Sequence, residues 1–204
     1  MKYNLLIIGA IAGSALLTSC GGGMSDQEFS DMLDRELDEL NQEDEKDDQA
    51  KLYENEKGEF RIDFDGHSPS VNSSKVPTEI GTLDMVQILW EKSLSEAYAV
   101  MYSDYPEELI ENSDPNALLQ GGKNGAASNL GILSFDEEND ISIDGNPGLE
   151  FTGNNGEYYV TWRVYLVDNR LYQVAVMGMN AYVPDENKSK FLESFELITD
   201  EDNE

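Results

Sequence analysis

Between Leu149 and Val167, apolar and polar side chains alternate with a period of two on both sides of a Gly153-Asn154-Asn155-Gly156 turn. Pairing across that turn places Leu149, Phe151, Tyr158, Val160, Trp162, Val164 and Leu166 on one face of a hairpin. Glu150, Tyr159, Thr161, Arg163, Tyr165 and Val167 take the other. A slip of one residue would exchange the two sets, so burial of the first face ties down the register. A ribbon of this kind must pack that face against another layer, and with the helices of the flanking segments it predicts an α+β domain built on a mostly antiparallel sheet.

The flanking segments supply the remaining strands and two helices. Phe60, Ile62 and Phe64 alternate with polar residues and predict a half-buried strand, and Val71 to Val76 predict a short one before Pro77. Residues 81–91 and 94–104 read as two longer strands joined by a tight turn near Lys92-Ser93. In the second, Tyr98, Val100 and Tyr102 share one face and Ala97, Ala99 and Met101 the other, so it should be covered on both sides. Asp114-Pro115 is an N-cap followed by proline at the first helical position, which starts a helix running to Leu130 with Gly131 at its stop. Gly121, Gly122 and Gly125 weaken its middle, a cost that close packing on a sheet would explain. Residues 132–144 predict a strand or strand pair with an acidic turn at Asp136 to Asp140. A turn at Asp168-Asn169-Arg170 leads into Leu171 to Met179, its register open between a two- and a three-residue loop. A final helix is expected over 184–195, with Phe191, Leu192 and Phe195 facing inwards, before an acidic tail.

Charge narrows the function. The 204 residues include 42 acidic and 13 basic side chains, a formal net charge of −29. That balance leaves no basic footprint for nucleic acid and none for anionic lipid, and favours cations, basic surfaces or uncharged molecules as partners. With one Cys and one His, the chain can form no intramolecular disulfide and no four-ligand zinc site. The acids concentrate at 24–59, where 15 acidic residues accompany four basic ones, as in a solvated tether. Within it Phe29, Met32, Leu33, Leu37 and Leu40 recur at helical spacing behind a Ser25/Glu28 capping box. An amphipathic helix is expected over roughly 26–41; docking on its own domain, association with a partner, and a largely unpacked tether remain open for it.

The first residues read as a leader. Lys2 precedes an apolar stretch from Leu5 to Leu17, shorter than the roughly 20 residues of a spanning helix and suited to a secretory signal. Leu17-Thr18-Ser19-Cys20 resembles the bacterial lipobox. The resemblance implies cleavage before Cys20, a diacylglyceryl group (palmitate or a similar acyl chain) on its sulfur, and a firm membrane anchor. Gly21 at the next position, in place of Asp, implies the outer membrane of the cell envelope by the same analogy; the periplasmic or surface face stays open. The expected organisation is a signal peptide at 1–19, a tether at 20–57, a globular domain at 58–198 and an acidic tail at 199–204.

Three stretches occur in an order similar to that of the PsbP-like superfamily, which includes many bacterial lipoproteins. They are Asn146-Pro147-Gly148-Leu149-Glu150-Phe151, the run from Arg163 to Tyr172, and Phe191-Leu192-Glu193-Ser194-Phe195, together with the Asp104-Tyr105-Pro106 turn. The resemblance implies an α/β/α sandwich around a mostly antiparallel sheet and a binding or assembly role without catalysis. It carries over no ligand-binding residue.

Candidate sites follow from residue type. Asp140-x-Ser142-x-Asp144-Gly145 begins like a calcium loop, but the carboxylate expected at the twelfth position is Phe151, with Glu150 one place early, so a plain strand fits better. No other cofactor is expected. His67 lies in a Gly-Ser-Pro loop; Arg163 and Arg170 fit cross-strand ion pairs or an anion-binding point. Tyr98, Tyr102, Trp162, Tyr165 and Tyr172 are candidates to line an apolar groove under the long helix, the default place for a ligand. The leading reading is a membrane-anchored, non-catalytic binding or assembly module for an envelope protein or a small uncharged or cationic ligand. A calcium-responsive envelope protein and a hydrolase using paired carboxylates are the alternatives.

Overall fold

The computed structural model describes residues 52–78 and 81–198, all within the unit Gln49–Glu204. The leader, Cys20, the 26–41 helix and the 199–204 tail lie outside the described residues. The fold is α+β and mostly antiparallel. Seven strands form the main sheet in the order β3-β4-β5-β9-β8-β7-β6, and β1-β2-β10 form a small second sheet.

The strands are β1 (Tyr53–Asn55), β2 (Phe60–Ile62), β3 (Ser70–Thr78), β4 (Gly81–Ser93) and β5 (Glu96–Asp104), followed by β6 (Phe135–Ile143), β7 (Asn146–Asn154), β8 (Tyr158–Val167), β9 (Arg170–Met179) and β10 (Glu196–Leu197). The hairpin of β7 and β8 has the register its alternation predicts, with Phe151 opposite Trp162 and Leu149 opposite Val164. The turn between β8 and β9 has two residues: Val167 pairs with Arg170, and Asp168 takes the left-handed conformation at φ 51°.

The helices are α1 (Glu107–Glu111), α2 (Pro115–Leu130) and α3 (Asp185–Glu193). Helix α2 starts where Asp114 accepts a hydrogen bond from the Asn116 amide at 3.0 Å. It ends at Gly131, whose φ of 69° is left-handed, a conformation that suits glycine.

Period-two alternation divides the sheet into two cores. On one face Tyr98, Val100 and Tyr102 of β5 join Tyr172, Val174 and Val176 of β9 under the small sheet and α3, which contribute Phe60, Ile62 and Phe191, with Phe195 from the link between α3 and β10. On the other, Phe151, Val160, Trp162 and Val164 meet Leu119, Ala126 and Ala127 of α2. Each fully buried Phe, Leu or Val contributes about 1.5–3 kcal/mol, so two filled faces hold the central strands firmly. Strand β5 is buried on both sides, as its two apolar faces require.

Three segments differ from the expectation. The acidic run at 136–140 is not a turn; it belongs to β6, a continuous strand at the sheet edge. An edge strand exposes much of its surface to water, so charged side chains are tolerated there and oppose pairing with another chain. The turn between β4 and β5 falls at Leu94-Ser95 rather than Lys92-Ser93. Strand β1 lies within the segment whose acidity suggested a tether; its Tyr53 packs edge-on against Phe64 with ring centres 5.6 Å apart.

Candidate functional site

Helix α2 packs on β7, β8 and β9. The same face of the sheet continues across β5 to β4, and there no described residue covers the floor. The result is a groove of about 320 Å³ between α2 and these strands. A second recess of about 600 Å³, lined by Pro77, Ala117, Leu118, Asn124 and Ser128, shares Val76, Tyr105, Gly121, Gly125 and Asn129 with it.

Strand register explains the floor. Leu89, Ala99, Ala175 and Trp162 lie side by side across β4, β5, β9 and β8. The row two residues further along is Gln87, Met101, Gln173 and Val164. Two alanines beside a tryptophan lower the surface, and two glutamines flank a methionine. Ser103, opposite Leu171 on β9, continues the polar side of the floor.

The glycines of α2 divide by role. A Cβ on Gly122 would lie 2.9 Å from Leu171 Cδ2, so that glycine permits the helix to approach the sheet, as expected. Gly121 and Gly125 have nothing within 4 Å of such a Cβ; they face the open groove and leave its wall low.

Trp162 lines the groove and is only 8% exposed. Its Nε1–H has no acceptor among the described residues, and a buried donor left unpaired costs about 1–3 kcal/mol. Burial also raises the Tyr105 phenol above its ordinary range, which keeps it neutral. None of the described residues lining either recess is acidic or basic, in a chain with a net charge of −29.

Of the five aromatics expected in a groove, Trp162 alone is there. Tyr98, Tyr102, Tyr165 and Tyr172 pack on the opposite face. In β5 and β9 they alternate with Ala99, Met101, Gln173 and Ala175, which take the face beneath α2, so the tyrosines cannot reach it. Tyr172 donates its hydroxyl to the Gly58 carbonyl at 2.8 Å and has a core role. Gln87, Ser103, Tyr105, Asn129 and Gln173 were not legible as site residues. Their one sequence signal is an uncharged polar residue within an otherwise apolar run, as at Gln87 and Gln173.

The calcium candidates do not converge. Asp140 and Ser142 pair with Leu149 and Pro147, whereas Glu150 pairs with Asn139 and so points to the opposite face of the ribbon. Asp144-Gly145 forms the two-residue hairpin turn, with φ of 48° and 82°. Glu150 instead accepts a hydrogen bond from Arg163 Nε at 2.6 Å, and Arg163 also donates to the Leu192 carbonyl at 3.0 Å. Arg170 pairs with Asp104 at 2.5 Å and with Glu59 at 2.8 Å. Both arginines therefore serve as internal ties. His67 stacks on Trp90, which stacks on Tyr98, at centre distances of 4.7 and 5.2 Å. Beside this stack Lys190 reaches Asp65 at 2.7 Å and Asp63 at 3.4 Å, and its hydrogen bond holds the Asp65 carboxyl below the usual range. The recess there, about 30 Å³, has the size of a water site.

No protein-family model and no curated protein sequence matches the chain. Among solved structures it is similar to a crystal structure of a protein of unknown function, PA94, from Pseudomonas aeruginosa. The two share 13% identity over 68% of this chain and 88% of that one, with a TM-score of 0.36.

Proposed function

We propose that the chain is a lipoprotein of the cell envelope, anchored through Cys20, whose folded unit is a non-catalytic binding module with the α2 groove as its site. The observation that carries the binding role is the groove itself: an open, uncharged floor containing an indole N–H without an acceptor. A concave, mainly apolar site with a few convergent polar groups is the usual form of a small-molecule site. The lipobox at Leu17-Thr18-Ser19-Cys20 supports the anchor, and the outer membrane is the membrane favoured by Gly21. A PsbP-like sandwich agrees with a sheet covered by α2 on one face and by α3 with the small sheet on the other.

Labelling cells with radioactive palmitate tests the anchor. The full chain should take up label and fractionate with membranes, and Cys20→Ser should abolish both. An unlabelled parent chain would refute it. Native mass spectrometry of the chain purified from envelopes tests the site. A small molecule that accompanies the parent and is absent from Gly125→Leu supports the groove; an identical adduct on both places the ligand elsewhere.

A further inference from the structure

Resting on the groove as the binding site, we infer that its ligand is an uncharged amphiphile: a neutral head with hydrogen-bonding oxygens on an apolar body. Charge decides the first part. An ion in this groove would leave water without a counter-charge among the lining residues, a cost that anion and cation share. The acidity of the chain as a whole adds repulsion for an anion.

The mixture of polar and apolar lining decides the second part. Gln87, Ser103, Gln173 and Trp162 lie together on the inner floor, where they offer amide, hydroxyl and indole groups. The outer recess sets Val76, Pro77, Ala117 and Leu118 beside Asn124, Ser128 and Asn129, and the inner floor likewise sets its polar groups beside Leu83, Met85, Met101 and Leu171. Both recesses therefore offer uncharged hydrogen-bonding groups beside apolar surface, which matches a neutral polar head on an apolar body. The Trp162 N–H needs an acceptor. A wholly apolar ligand would bury the two glutamines without partners, which the floor opposes.

The test uses three probes with the same ten-carbon chain: 1-decanoylglycerol, decanoate and decyltrimethylammonium, each below its micelle concentration. The protein is the full chain carrying Cys20→Ser, so that no acyl group of its own competes, and Trp90→Phe, so that Trp162 is the sole fluorescent indole. The neutral ester should bind one to one and change Trp162 emission. It should bind at least tenfold more tightly than either charged probe, and Trp162→Phe, followed by calorimetry, should weaken it about tenfold. Gly125→Leu, and independently Gly121→Leu, should abolish binding without lowering the melting temperature, because both positions open into free space. Equal binding of all three probes, still lost in Gly125→Leu, overturns the ligand class and leaves the groove as the site. Binding indifferent to both glycine variants, or no saturable binding of any probe, overturns the groove as well. A dimer of the Cys20→Ser chain that dissociates in Gly125→Leu would show a second copy covering the groove and would also overturn the inference.

Discussion

Gly122 of α2 lies so close to Leu171 of β9 that a methyl group on it would come within 2.9 Å of Leu171 Cδ2, whereas Gly125, one turn later, faces open space. Glycine in a helix interior costs roughly 0.5–1 kcal/mol relative to alanine. Gly121→Ala and Gly125→Ala should therefore each raise stability by about that amount. Gly122→Ala must push aside a Leu side chain that is 2% exposed, and should fall below Gly125→Ala by about 1–3 kcal/mol. Urea unfolding midpoints at unchanged slope measure both effects. Equal gains at all three positions would mean that Gly122 does not set the distance between helix and sheet.

These glycines also show what could be read in advance. The helix limits at Asp114-Pro115 and Gly131 are local chemistry and are legible in a few residues. The β7–β8 register is legible because two apolar faces and a turn agree. The groove is not, because it depends on strand order: β4 reaches β9 only through β5, and nothing within β4 announces that neighbour. The tyrosines misled for a related reason. Aromatic rings suggest a ligand pocket, but alternation in β5 had already assigned Tyr98 and Tyr102 to the face opposite Ala99 and Met101, and only the position of α2 shows which face stays open. The acidic run in β6 resembles a loop by composition because a solvated edge strand and a loop accept the same residues.

Arg170 ties the start of β9 to two other parts of the fold. Its guanidinium grips both Asp104 oxygens, at 2.5 and 3.1 Å, reaches Glu59 and the Lys57 carbonyl, and lies over the Tyr102 ring at 5.1 Å. Lysine offers a point charge without the planar fork or the stacking surface. Arg170→Lys should lower stability by about 1–3 kcal/mol. Chemical denaturation monitored by circular dichroism reads the change, and a loss below about 0.5 kcal/mol, the scale of an ordinary surface substitution, would reduce Arg170 to a surface residue.

Among the described residues, strand β6 has β7 on one side and no strand on the other, and Asp136, Glu137, Glu138 and Asp140 crowd along it. Like charges on an exposed edge repel the edge of a second molecule. Replacing Glu137 and Asp140 together by Thr keeps strand propensity and removes two charges. The double variant should self-associate with rising concentration, detected as increasing mass by size-exclusion chromatography with light scattering. If its mass matches that of the parent at every concentration, the acids of β6 have no protective role.

Lys123 is the most buried cation among the described residues, with a side chain only 7% exposed, and its Nζ lies 2.6 Å from Glu138 and 4.5 Å from the centre of the Phe135 ring. The hydrogen bond from Lys123, helped by one from Gln120, holds the Glu138 carboxyl below its ordinary value of 4.5. A carboxylate whose pKa is lowered by folding stabilises the fold above the unfolded-state pKa and loses that contribution as pH falls through the folded value. Glu138→Gln keeps an acceptor near Lys123 and removes the charge. Because the Glu138 side chain is 36% exposed, solvent screens the pair, and the loss near neutral pH should be about 1 kcal/mol rather than the larger figure of a fully buried pair. The difference between parent and variant should hold from about pH 7 down to the ordinary carboxylate range and close as pH falls through the lowered folded value of Glu138. Melting curves of the two proteins across that range make the comparison, and a gap as wide in acid as at neutrality would detach Lys123 from Glu138 as its source of stability.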